Sequence, residues 1–226
     1  MHTHTEFSPD STFRLARYAE RAASVGLGAV CVTDHNTIDG ALRLREMDVP
    51  FTVIVGEEIY SRDGEIIGLY LTEAVPPHLP AEETIDRIHA QGGLAYIPHP
   101  FSRNRMRHLT LDALGALAKK IDAVEVFNAR EIAGASNEKA LAFAVSHGLP
   151  GGVGSDAHRR SELGGAFVEV DAFTSAQELL HVLRGGRVTG RLSGVGMHVR
   201  TIGDAIGKYV ANQVRRLAGP PQRRAG

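Results

Sequence analysis

Histidine and carboxylate residues recur in this sequence as short motifs: His2-Thr3-His4, Thr33-Asp34-His35-Asn36-Thr37, Gly56-Glu57-Glu58-Ile59, Pro98-His99-Pro100, Glu125-Val126-Phe127-Asn128 and Ser155-Asp156-Ala157-His158. Imidazole nitrogens and carboxylate oxygens without a thiolate suit borderline divalent ions such as Zn²⁺, Mn²⁺ or Fe²⁺. Each motif alone is a weak signal, because His-x-His arises readily by chance in a 226-residue chain with 11 histidines. Asp34 also fits a helix cap or a partner that fixes an imidazole tautomer. Together the motifs offer more ligands than one tetrahedral ion takes, enough for two or three ions with open positions. Such a cluster ionises water near neutral pH and holds both oxygens of an in-line displacement. Arginines follow three of the motifs: Arg103, Arg105 and Arg107 in a lysine-free loop after His99, then Arg130, then Arg159 and Arg160. Guanidinium groups pair bidentately with phosphate, so the basic residues point to a phosphorylated substrate.

The elements that must position these groups are read from periodicity. Ala29–Thr33, Thr52–Val55, Ile66–Leu71, Leu94–Ile97, Ala123–Phe127, Gly152–Gly154 and Ala166–Val170 are short apolar runs of strand type. Helical spacing covers Ser11–Val25, with Pro9-Asp10-Ser11 as its cap, and recurs near Ala81–Gln91, Leu111–Lys119, Asn137–His147 and Ser175–Leu183. Alternating strands and helices predict a mostly parallel sheet with helices outside. Arg62-Asp63-Gly64 between two strand-like runs predicts a hairpin. Most of the motifs directly follow a strand. In an α/β barrel all strand C-terminal ends open on one face, so the motifs would converge there.

Composition narrows the class further. With 25 basic and 26 acidic residues and 43% hydrophobic content, the chain can close a core and has no global attraction for nucleic acid. The single cysteine, Cys31, excludes an internal disulfide framework and is expected in the core. No apolar run reaches membrane-spanning length, and the start lacks a secretory pattern, so a cytoplasmic location is expected. Two units are expected. Residues 1–190 form a catalytic barrel, and residues 191–226 form a Gly-rich segment and a tail whose last stretch, from Lys208, is basic. The tail reads as a solvated helix that frays. His108 and His198 are placed away from the site.

With these motifs in this order, the sequence resembles the PHP (polymerase and histidinol phosphatase) family of metal-dependent phosphoesterases, from His2 to about Gly165. The resemblance implies a distorted (β/α)7 TIM-like barrel with its metal site at the C-terminal ends of the strands. It implies three ions: one on His2, His4, Glu58 and Asp156, a second sharing Glu58 with His99, and a third on Asp10, His35 and His158. Glu57 is then a neighbour that supports the ligand. Glu65 stands at or near a hairpin position where many members carry a ligating histidine, and Asn128 is a further candidate. The implied reaction is phosphate-ester hydrolysis by a metal-bridging hydroxide, with two or three Mn, Zn or Fe ions. Catalytic roles fall to His158, Asp156, Arg103 and Arg130: Arg103, Arg105 or Arg130 would orient phosphoryl oxygens, and His158 would protonate the leaving group. The expected partner is a small phosphorylated substrate, nucleotide-like ones being among the candidates. The alternatives are an exonuclease or phosphodiesterase on short oligonucleotides, gripped by the basic tail, and a non-catalytic module. Family members carry an apolar strand before His-x-His, where this sequence has only Met1. The expectation is therefore a start codon assigned too late, or else a fraying end on which metal alone holds His2 and His4.

Overall fold

A computed structural model describes residues 1–103 and 107–193. Arg105, His198 and the basic tail lie outside the described residues. The apolar runs form strands, and six of them make one curled sheet: β1 (Ala29–Val32), β2 (Thr52–Tyr60), β3 (Glu65–Leu69), β4 (Leu94–Ile97), β5 (Ala123–Asn128) and β6 (Gly151–Gly154), hydrogen-bonded in that order. β1 and β2 run parallel, as do β4, β5 and β6. β3 is antiparallel to both neighbours, because the predicted Arg-Asp-Gly hairpin turns the chain back so that Tyr60 pairs with Glu65. The hairpin also explains the length of β2. Pairing with β3 carries it five residues past the expected Val55, and Glu58 therefore lies inside a strand rather than in a loop after one.

A short closing segment, residues 2–5, lies between the β6 and β1 edges of this sheet. Thr3 forms a parallel bridge with Ala157, just beyond β6. Asp156 N–H donates to His2 O (2.8 Å) and His4 N–H to Ala157 O (2.9 Å), while on the other side Thr33 N–H donates to Thr3 O (2.9 Å). The Met1 ammonium donates to Val153 O at 2.7 Å. Residues 2–5 are buried between the two sheet edges. This corrects the expectation of a fraying end. Backbone hydrogen bonds to both edges hold His2 and His4 in place.

Helices α1 (Leu15–Ser24), α2 (Asp39–Arg45), α3 (Ala81–Ala90), α4 (Leu111–Leu117) and α5 (Gly134–His147) follow the alternation, α2 being additional to the predicted set. α1 begins at Leu15, not at Ser11. Asp10 and Ser11 serve the site instead, Ser11 Oγ donating to His158 O, and Glu6 Oε1 accepts the Leu15 N–H. β7 (Ala166–Glu169) does not join the main sheet but pairs antiparallel with β8 (Arg187–Gly190). Between them, α6 (Ala176–Leu183) packs Ala176, Leu179 and Leu183 on Cys31, Ile54, Leu69, Leu94, Tyr96 and Ala123. Ile54, Leu94 and Ala123 lie early in their parallel strands and Leu69 ends the antiparallel β3, so α6 covers the end of the sheet opposite the histidine motifs.

Candidate metal centre

The strand ends bring the motifs together. His2 and His4 come from the closing segment, His35 follows β1, and Glu58 sits in β2. Glu65 opens β3, His99 follows β4, and Asp156 and His158 follow β6. Asp10 arrives from the turn before α1. Glu58 is the hub. Its Oε2 lies 3.2 Å from His2 Nε2, 3.2 Å from His4 Nε2 and 3.2 Å from His35 Nδ1, and its Oε1 lies 3.2 Å from His99 Nε2. Asp156 Oδ1 is 3.5 Å from His4 Nε2 and 3.8 Å from His2 Nε2. Glu65 Oε2 is 3.6 Å from His99 Nε2. On the other side, Asp10 Oδ2 stands 2.9 Å from His158 Nε2 and 3.6 Å from His35 Nε2.

These spacings fit divalent cations. With bonds of about 2.1 Å, neighbouring ligands of a tetrahedral or octahedral ion stand roughly 3.0–3.4 Å apart. The Nε2 atoms of His2 and His4 face each other at 3.0 Å, an arrangement that repels two lone pairs unless a proton or cation lies between them. The donor atoms of His2, His4 and Glu58, of His2, His99 and Asp156, of His4, His35 and His158, and of His35, Glu58 and Glu65 each lie within 4.8 Å of one another.

Hydrogen bonds behind the cluster set the imidazole tautomers. Ser8 Oγ lies 2.9 Å from His4 Nδ1 and donates to Asp34 Oδ1, leaving His4 Nε2 for the cluster. Asp34 accepts the Thr5 N–H and hydroxyl at 2.6 Å each, so it clamps the closing segment rather than capping a helix. His158 Nδ1 lies 2.8 Å from Asp156 O and 2.6 Å from Arg130 Nη1. Burial and the neighbouring His158 hold His4 well below the usual imidazole range. Burial also lowers His158, to about 4, with Arg130 adding to the effect against the opposing pull of Asp10. Both rings are therefore neutral, the form that ligates. Burial would lower His2 too, but Glu58 and Glu125 outweigh it and hold the ring at about 9. Burial pushes Glu58 upward, and the surrounding histidines, His2 and His35 foremost, bring it well below the carboxylate range.

The backbone is bent to reach this arrangement. Asn36, His99 and Asp156 adopt φ of 53°, 29° and 50°, a left-handed region that costs residues with a Cβ about 1–3 kcal/mol each. All three are motif residues.

Three expectations are corrected. Asn128 is no ligand: its Nδ2 donates to Glu125 Oε2 (2.9 Å) and Asp156 Oδ2 (3.2 Å), and its Oδ1 accepts the Arg130 N–H. Arg130 is buried and packs its guanidinium against His158 and Asp156, so the contacts it makes are to candidate ligands. Glu57 goes to the other face of β2, accepts the Val75 N–H and supports no ligand. Arg103 is exposed. Arg107, which motif reading did not separate from its loop neighbours, stacks over Tyr60 at 4.5 Å, and Tyr60 in turn packs on His35 at 4.7 Å. Arg107 is thereby linked to the cluster through Tyr60 and His35. Nothing in the sequence pairs it with an aromatic residue 47 positions earlier.

A curled α/β sheet whose strand ends gather five imidazoles and several carboxylates is a scaffold and donor set that could hold divalent metal ions. Residues 1–125 match the PHP domain family, and residues 134–188 match a family described as PHP-associated. The chain belongs to the PHP family. It is 39% identical over 155 residues to an uncharacterized protein of Methanocaldococcus jannaschii, covering 62% of this chain and 87% of that one. Among solved structures, it resembles a two-domain protein from Bacteroides vulgatus containing a predicted PHP-like metal-dependent phosphoesterase. That likeness has a TM-score of 0.68 at 17% identity and covers 84% of this chain and 63% of the other. It also resembles endonuclease Q, determined in complex with a 27-mer duplex bearing an abasic lesion at the active site. There the TM-score is 0.58 at 19% identity, over 82% of this chain and 55% of that one. The chain thus spans under two thirds of either solved protein.

Proposed function

We propose that this chain hydrolyses a phosphate ester of a small, nucleotide-like substrate with the help of two or three divalent ions (Mn, Zn or Fe), residues 1–190 forming the catalytic unit and its curled sheet serving as a seven-stave barrel. The observation that carries this reading is the convergence of His2, His4, His35, His99 and His158 on Glu58, Asp156 and Asp10 at 2.9–3.8 Å. One ion would be held by His2, His4, Glu58 and Asp156. A second would be held by Glu58 and His99, with Glu65 in the place of the usual histidine, and a third by Asp10, His35 and His158. When bound, such ions supply the nucleophilic oxygen and the positive charge that phosphoryl transfer to water requires.

The protein's own groups do the rest. His158 acts as a ligand and not as a proton donor: with its Nδ1 facing Asp156 O, the neutral ring turns the lone pair of Nε2 toward Asp10 Oδ2, 2.9 Å away, where an ion would lie between them. Arg107, exposed and braced on Tyr60, takes the phosphoryl-orienting role in place of Arg130, with Arg103 on the same loop as its companion.

Elemental analysis of the purified chain, combined with a panel of phosphomonoesters and phosphodiesters in Mn²⁺, tests the reading. Bound transition metal with monoester cleavage supports it. A chain that retains no metal after gentle purification behaves as a non-catalytic module, and cleavage of diesters alone overturns the monoester preference. Arg107→Ala is expected to raise KM for phosphorylated substrates while leaving bound metal unchanged.

A further inference from the structure

We propose that Glu125 is a positioning residue of the metal centre, a buried carboxylate that sets the His2 imidazole and the His99 backbone at once. The inference rests on the reading of His2 and His99 as metal ligands. Glu125 lies within β5 and is fully buried, behind the ring of donors rather than among them. Its Oε1 is 3.1 Å from His2 Nδ1. Its Oε2 accepts the His99 N–H at 2.7 Å and the Asn128 Nδ2 at 2.9 Å.

Each contact has a consequence at the cluster. With its Nδ1 proton directed at Glu125, His2 can present only Nε2 to Glu58 and His4. His99 holds the left-handed φ of 29°, and a charge-assisted hydrogen bond from its N–H offsets part of that strain. Asn128 passes the restraint on, since its Nδ2 also donates to Asp156 Oδ2 at 3.2 Å. Three candidate ligands from three different elements are thereby registered to one carboxylate.

The facing strand makes room for it. A Cβ on Gly154 would overlap Glu125 Oε1 and crowd the Cβ of His2. Gly154 is absent from the positive-φ glycines, so its backbone does not require glycine. Clearance for the Glu125–His2 pair accounts for the missing side chain.

The test is Mn²⁺ binding to metal-stripped protein by titration calorimetry. Glu125→Gln keeps the size and removes the charge. It is expected to weaken Mn²⁺ about 10–100-fold with the circular dichroism spectrum preserved. Glu57→Gln, which removes another buried carboxylate from the same sheet, is expected to leave the affinity unchanged. Equal affinity in wild type and Glu125→Gln overturns the proposal alone, whereas a wild type that binds no Mn²⁺ overturns the metal-centre reading and this inference with it. A second measurement needs no variant. In Zn²⁺-loaded wild type with ¹⁵N-labelled histidine, the His2 ring must carry its proton on Nδ1 and its metal on Nε2. The reverse assignment overturns the proposal.

Discussion

Glu57 and Glu58 are neighbours in the chain, and the alternation of a strand sends their side chains to opposite faces of the sheet. Glu58 meets four imidazoles and stays ionised. Glu57 meets one N–H, from Val75, in an otherwise dry setting, and burial lifts its pKa from 4.5 to about 7. Folding therefore favours the protonated carboxyl. This contribution to stability is complete below the unfolded value near 4.5 and is lost as pH rises through about 7. A shift of that size corresponds to about 3 kcal/mol. Glu57→Gln should consequently become more stable relative to wild type as pH rises, by a few kcal/mol between pH 5 and pH 8 in urea unfolding. A difference that stays flat over that range would mean that Glu57 is solvated. The histidines that shift in both proteins cancel in this comparison. The residue scale also marks where sequence reading stops. The family resemblance singles out Glu58 over Glu57, and it is Glu58 that stands against the imidazoles. The roles of Asn128 and Arg130, however, depend on Asp156 and His158, up to 28 residues away, and the motif that contains Asn128 says nothing of them.

At the scale of elements, β1, β4 and most helices were legible because an apolar run or a 3.6-residue period announces them. α2 was not, since it starts at Asp39-Gly40 behind Ile38, whose side chain makes no capping hydrogen bond, and Asp-Gly reads as a turn. Gly40 is there for space: a Cβ would strike the Asp34 carboxylate that clamps Thr5. β8 does not show in the sequence, because Arg187–Gly190 follows two glycines and is mostly exposed, so its pattern has no buried face. The closing segment is too short to show any period. α6 was legible, and its packing makes it testable. Ser175 Oγ accepts the Glu178 N–H, Glu178 returns a carboxylate to the Thr174 N–H and hydroxyl, and Leu179 is buried under the sheet. Ser175→Ala should cost about 1 kcal/mol and Leu179→Ala about 2–5 kcal/mol of unfolding free energy. Neither should move Mn²⁺ affinity, because α6 covers the end of the sheet away from the donors. If Leu179→Ala weakens metal binding, the two ends of the sheet are mechanically coupled.

At the scale of the whole molecule, the open question is the size of the substrate, and charge decides it more cleanly than shape. The chain carries a net charge of −1 from 25 basic and 26 acidic residues. Lys208, Arg215, Arg216, Arg223 and Arg224 all fall in the last 19 positions, with no acidic residue among them, so removing residues 208–226 gives 20 − 26 = −6. An oligonucleotide gripped by those five cations would lose them on truncation. Binding in the intact chain would fall with the logarithm of salt concentration by about 0.7 per neutralised phosphate, and truncation would remove up to about 3.5 from that slope. A small phosphomonoester that meets only the ion cluster and Arg107 would not register the loss. The proposed function therefore predicts that a chain ending at Gly207 keeps its kcat/KM for a nitrophenyl phosphate, and that intact and truncated chains show the same weak salt dependence toward a short single strand. If truncation instead spares the small ester but abolishes a steep, salt-sensitive cleavage of the strand, the metal chemistry stands and the substrate is nucleic acid.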